Sequence, residues 1–108
     1  MTQPTKPIVS LLVDDPAYDE PIDAFVVSLG ERVDALQDAE LAGDPDLLRA
    51  LAAALSAQSE GLGYPALAAA ARRVEIACDD DGPEAIHKAV VDLTDLGQRV
   101  RRGHRSSA

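Results

Sequence analysis

The chain has 108 residues, the size of one ordinary domain, with 46% apolar, 27% charged and 3% aromatic residues. That apolar share excludes a disordered chain, and nineteen Ala residues with few aromatics favour helix over an all-β domain. Nineteen acidic residues against ten basic ones leave a net charge of −9, which repels nucleic-acid phosphates and anionic lipid, so neither is expected as a partner. A single cysteine, Cys78, has no internal disulfide partner and fits a reducing compartment. No stretch reaches the roughly 18 apolar residues of a membrane span. The apolar run Ile8–Val13 is short and has no cleavage pattern, so it makes a poor signal peptide. A cytoplasmic protein is expected.

Residues 1–15 carry Pro4 and Pro7 before that apolar run and read as an extended N-terminal arm. Its LLVDD segment resembles the first strand of a receiver domain. Such a domain needs four more strands alternating with helices, and nothing downstream supplies them. From Pro16 the period changes. Ile22, Phe25/Val26, Leu29, Val33 and Leu36 recur at three and four residues, the stripe of an amphipathic helix. Gly30 interrupts the stripe, which predicts two short helices or one kinked helix ending near Gly43.

Three later boundaries share one pattern: Gly43-Asp44-Pro45, Gly63-Tyr64-Pro65 and Gly82-Pro83. Glycine stops one helix and proline suits the first turn of the next, with Asp44 as an N-cap. The three segments so defined carry their own stripes: Leu48, Leu51, Ala52 and Leu55; then Leu67, Ala70/Ala71, Val74 and Ala77/Cys78; then Ile86, Ala89/Val90, Leu93, Leu96 and Val100. Loops this short force antiparallel neighbours. The expected fold is all-α, an antiparallel four-helix bundle over 16–101 with a short extra N-terminal helix, followed by a flexible basic tail, 102–108.

The stretch Ile22–Val100 resembles a histidine-containing phosphotransfer (HPt) domain, a four-helix bundle of bacterial phosphorelays. PIDAFVVSLGERVDALQDAELAGD is similar to the family's opening helices with their Gly-Asp ending. LGYPALAAAARRVEIA is similar to its glycine-aromatic turn and the helix that follows, through Gly63, Tyr64, Pro65, Leu67, Ala70, Ala71, Val74 and Glu75. The family's His-x-Leu-Lys-Gly motif lies ten residues before the turn glycine, which lands on Ala53. Leu55 matches, but Ser56 replaces the lysine and Ala57 the glycine. A phosphorelay histidine attacks through a ring-nitrogen lone pair, and a methyl group has none. Ser56 carries no charge with which to neutralise a phosphoryl group. The resemblance therefore implies a phosphorelay protein that does not accept phosphate there: an HPt-like adaptor or competitor without catalytic residues, cofactor or metal.

In the family the corresponding helix face docks a receiver domain. Here that face is formed by Arg49, Ala50, Ala53, Ser56, Ala57 and Glu60, three or four residues apart. The resemblance implies a response-regulator receiver or a histidine kinase as partner, while small side chains would also admit a second copy of the chain. The plain alternative is an Ala-rich helix face that meets only solvent.

Other candidates have ordinary readings. His87, the only histidine inside the expected bundle, reads as a solvated residue or as a relocated phosphoacceptor; Lys88, Val90 and Val91 give it no help. His104 falls in the tail and is expected in solvent. Asp79-Asp80-Asp81-Gly82 fails as a calcium loop, because Ala77 and Lys88 stand where carboxylates belong. Of Arg99, Arg101, Arg102 and Arg105, three sit near a helix C-terminus, where cations are favourable, and contact with an anion or an acidic partner is the alternative. Ser56 and Ser59 lack a nearby histidine or strained elbow, which excludes a hydrolase reading. Tyr64 is expected to pack at the interhelix turn, and Cys78 to fill core space.

Overall fold

The computed structural model describes residues 8–80 and 82–107. A 3-10 turn, Pro16–Tyr18, leads into four α-helices: α1 (Asp19–Leu41), α2 (Pro45–Gly61), α3 (Pro65–Asp80) and α4 (Pro83–Ser107). No strand occurs among the described residues. Each helix packs on two neighbours in the cycle α1–α2–α3–α4, and the diagonal pairs do not meet. The fold is thus a four-helix bundle.

The turns follow the expected grammar. After α1, Gly43 takes φ +66°, Gly43 N donates to Glu40 O and Asp44 N donates to Ala39 O. After α2 the pattern repeats, with Gly63 at φ +84°, its N on Glu60 O, and Tyr64 N on Ser59 O. Both close a helix C-terminus by a left-handed residue that favours glycine. Asp44 Oδ1 accepts from Leu47 N at 3.1 Å and caps α2.

The stripes meet as one core. Leu29, Leu36, Leu48, Leu55, Leu67, Val74, Leu93 and Val100 are all but inaccessible to solvent, and Ile86, Ala89, Leu96, Leu51 and Cys78 pack half-buried around them. Each such leucine contributes about 1.5–3 kcal/mol through burial. Phe25 of α1 stacks on Tyr64, ring centroids 5.8 Å apart, and the Arg32 guanidinium lies over the Phe25 ring, 5.9 Å from its centroid. Burial lowers the Arg32 pKa and raises those of Tyr64 and Cys78.

Three expectations are corrected. First, Asp19–Leu41 is a single helix, and the extra N-terminal helix shrinks to the 3-10 turn Pro16–Tyr18. Gly30 is helical, and the Arg101 guanidinium occupies the space beside it, 3.3 Å from where a Cβ would stand.

Second, the described part of the arm is a strap. Leu11–Asp14 forms a turn, Ile8 N donates to Arg99 O, Leu11 N to Gly63 O, and the buried Ser10 Oγ donates to Leu62 O at 2.6 Å. Residues 1–7 lie outside the described residues.

Third, α4 continues to Ser107, past the expected end near Arg101. Gly103 is buried against Ile8, whose carbonyl oxygen occupies the place of a Cβ. His104 Nε2 meets Asp23 Oδ1 at 3.0 Å and is half-buried rather than free in solvent.

Two measurements follow from this packing. Gly61 has open space around it, so Gly61→Ala should raise stability by about 0.5–1 kcal/mol through helix propensity alone. Gly103→Ala gains the same propensity but displaces the Ile8 carbonyl, and should cost about 1–3 kcal/mol. Urea midpoints of the two variants should move in opposite directions. The fold favours the neutral phenol of Tyr64, so that contribution is complete below the ordinary tyrosine value near pH ~10 and is lost as pH rises through the higher folded value. With Tyr18→Phe leaving one tyrosine, the tyrosinate absorbance should rise above that pH together with loss of helix.

Candidate functional site

Helix α2 turns two faces in different directions. Leu48, Ala52, Leu55, Ser56 and Ser59 are buried. Ala50, Ala53, Ala54, Ala57 and Gly61 are exposed, and Leu47 is half exposed at the first turn. The exposed strip is narrow in relief because its side chains end at Cβ.

The expected site residues divide accordingly. Ala50, Ala53 and Ala57 lie in the open, and Glu60 sits at the edge with an ion pair to Arg72 of α3 at 3.3 Å. Arg49 is half-buried at the opposite edge, with Nη2 3.0 Å from Asp46 Oδ1 and Nε 2.8 Å from Asp79 Oδ1. The Nε contact is an ion pair off the hydrogen-bond direction, since that N–H has no acceptor in line. Arg49 thus ties the start of α2 to the end of α3.

Ser56 does not join the face. It is buried between α2 and α3, and its Oγ donates to Ala68 O at 3.1 Å. A lysine at this position would have to lead its charge out of a helix interface, whereas a serine hydroxyl is satisfied within it. Ser56 therefore suits the tight α2–α3 packing, the most extensive helix contact in the bundle. Ser59 is also fully buried, but its Oγ finds no partner among the described residues.

His87 stands elsewhere, on the exposed flank of α4. Its Nδ1 is 2.9 Å from Glu40 Oε2 of α1, in a groove whose apolar wall includes Leu41, Val90 and Val91. If Nδ1 carries the proton toward Glu40, Nε2 keeps its lone pair. The carboxylate partner is invisible to sequence reasoning, because Glu40 and His87 are far apart in the chain. Arg99 pairs with Asp95 at 3.8 Å. Among the described residues no group of three or more His, Cys, Asp or Glu side chains could hold a metal ion. Asp81 of the acidic loop lies outside them.

Among these residues no helix is long and apolar enough to cross a membrane. Compared with known proteins, the chain matches no family model, no curated protein and no solved structure.

The two buried hydroxyls of α2 give a direct check on its packing. Ser59→Ala removes an unsatisfied group and should stabilise the fold by about 1 kcal/mol, whereas Ser56→Ala loses a made bond and should not. Thermal or urea unfolding of the two variants measures the difference.

Proposed function

We propose that the chain is an HPt-like signalling module that binds a response-regulator receiver domain, or a histidine kinase, without accepting phosphate. The observation that carries this reading is Ala53, an exposed methyl on the open strip of α2 at the position where the resembled motif has its histidine. With no lone pair there, a docked phospho-receiver keeps its phosphoryl group. The module then acts as an adaptor, or as a competitor that occupies the receiver's docking surface. The flat strip of Ala50, Ala53 and Ala57 offers close backbone approach, and the paired charges Arg49–Asp46 and Glu60–Arg72 edge it.

His87 supports a second reading, an active phosphotransfer intermediate. Its contact with Glu40 can hold Nδ1–H and so leave the lone pair on Nε2 to meet a phosphoryl group. In that case the receiver's aspartyl phosphate loses its acyl P–O bond, and a P–N bond forms at Nε2. A structural homodimer through the alanine strip is the third possibility; light scattering over a concentration series tests it.

Incubation with a panel of phosphorus-labelled receiver domains tests the first two together. The proposal expects binding without label on the native chain, and label on Ala53→His, because the new imidazole would occupy the docked face. Label on the native chain that disappears with His87→Gln would establish the second reading instead. Absence of binding together with an unlabelled Ala53→His would overturn the docking claim.

A further inference from the structure

Helices α1 and α4 pack side by side, and along the outer side of their contact they leave a cleft of about 180 Å³. Val33 of α1 and Gly97 of α4, both buried, form its floor. The hydrogen bond from Gln37 Nε2 to Thr94 Oγ1, 3.2 Å long, bounds one end, and Arg101 bounds the other above Gly30. Asp34 from α1 and Gln98 from α4 complete the lining.

Two observations set this cleft apart from an ordinary furrow between helices. The first is the pair of glycines on its two walls. Both lie inside helices, where glycine is less favourable than alanine, and neither has a positive φ. A Cβ at Gly97 would meet Val33 at 3.4 Å, ordinary contact distance, so helix packing does not demand glycine there. A Cβ at Gly30 would stand 3.3 Å from Arg101 Nη1, 3.4 Å from Cζ and 3.7 Å from Nη2. The guanidinium therefore lies flat over the Gly30 backbone, and the missing side chain admits it.

The second is charge left unanswered. In a chain of net charge −9, Arg49, Arg72, Arg99, His87 and His104 each find a carboxylate. Arg101 does not, although Asp34 lines the same small cleft, and neither of the two makes a hydrogen bond or an ion pair with any described residue. A solute that joins them must carry both signs, negative at the guanidinium and positive at the carboxylate. A plain anion leaves Asp34 beside it unanswered, and a plain cation leaves Arg101. The cleft is also smaller than the roughly 300–1,000 Å³ of drug-sized sites, which selects a solute of few atoms. An α-amino acid meets each condition: its two charges sit on neighbouring carbons, its carboxylate matches the planar fork of an arginine, and the Gln98 amide can bond either group.

We propose that the α1–α4 cleft binds the zwitterion of a small α-amino acid, its carboxylate on Arg101 and its ammonium group on Asp34. This site is separate from the α2 strip, and no receiver is needed to examine it.

L-Alanine, propionate and ethylammonium separate the two charges, since propionate lacks the ammonium group and ethylammonium lacks the carboxylate. Each is titrated into the full-length chain while amide resonances are followed. Saturable shifts centred on residues 30–37 and 94–101 are expected with L-alanine, and binding about tenfold weaker or less with the other two. Arg101→Gln should weaken L-alanine binding about tenfold by removing a charge-assisted bond, and Asp34→Asn about fivefold. Both positions are exposed, so helical circular dichroism should be unchanged. Gly97→Ala fills the floor and should abolish the shifts without lowering the urea midpoint, which a glycine kept only for packing would not do. An equal response to propionate or ethylammonium, shifts centred elsewhere, no saturation, or unchanged affinity in Arg101→Gln would overturn the assignment.

Discussion

The turn at Gly63 holds four parts of the molecule to one geometry. Its φ of +84° closes α2 and aims Tyr64 into the core, where the ring stacks on Phe25 of α1. The same residue seats the strap: an added Cβ would stand 2.6 Å from Ser10 Oγ and 3.0 Å from Leu11 N. A side chain at this position therefore faces two penalties at once, a disfavoured backbone conformation and a collision with the segment that covers the turn. Because α2, α3, α1 and the strap all meet there, the lower end of the bundle depends on one missing methyl group.

Helix α2 divides its work along its length and around its circumference. Inward, Ala52, Ser56 and Ser59 are buried, and the hydroxyl of Ser56 is consumed by the Ala68 carbonyl of α3. Outward, Ala50, Ala53 and Ala57 leave a surface with neither charge nor nucleophile. The strip carries no side chain able to do phosphoryl chemistry, while the opposite face of the same helix is fully packed. That contrast underlies the adaptor proposal. Around the bundle, Arg49, Arg72, His87 and His104 each answer a carboxylate on another helix, so part of the acidic excess is used to hold helices in register. Exposed pairs of this kind contribute little individually, and the apolar core carries most of the stability.

The placement of Ser56 illustrates a limit of helix-face reasoning. Spacing of three from Ala53 suggested a shared surface, but a helix rotates by about 300° over three residues, and the remaining offset is enough to cross the boundary of an interface. Which side of that boundary a residue falls on depends on where the neighbouring helix lies. Similarly, Arg101 reads as the end of the bundle and Gly103 as part of a flexible basic tail. Their partners, Gly30 and Ile8, come from the opposite end of the sequence, and contact with them extends α4 to Ser107.

Local chemistry determined much of this protein in advance. The alanine content, the three- and four-residue stripes, and the glycine–proline boundaries dictated helices, their ends and nearly all of their buried faces, because those properties act within a few residues of chain. Tertiary structure alone decided the rest: the strap over Gly63 and Gly103, the burial of Ser56, the pairing of His87 with Glu40 and of His104 with Asp23, and the cleft between Gly30 and Gly97. Each of these joins residues remote in sequence, and such contacts come into being only when the bundle closes and brings their backbones together.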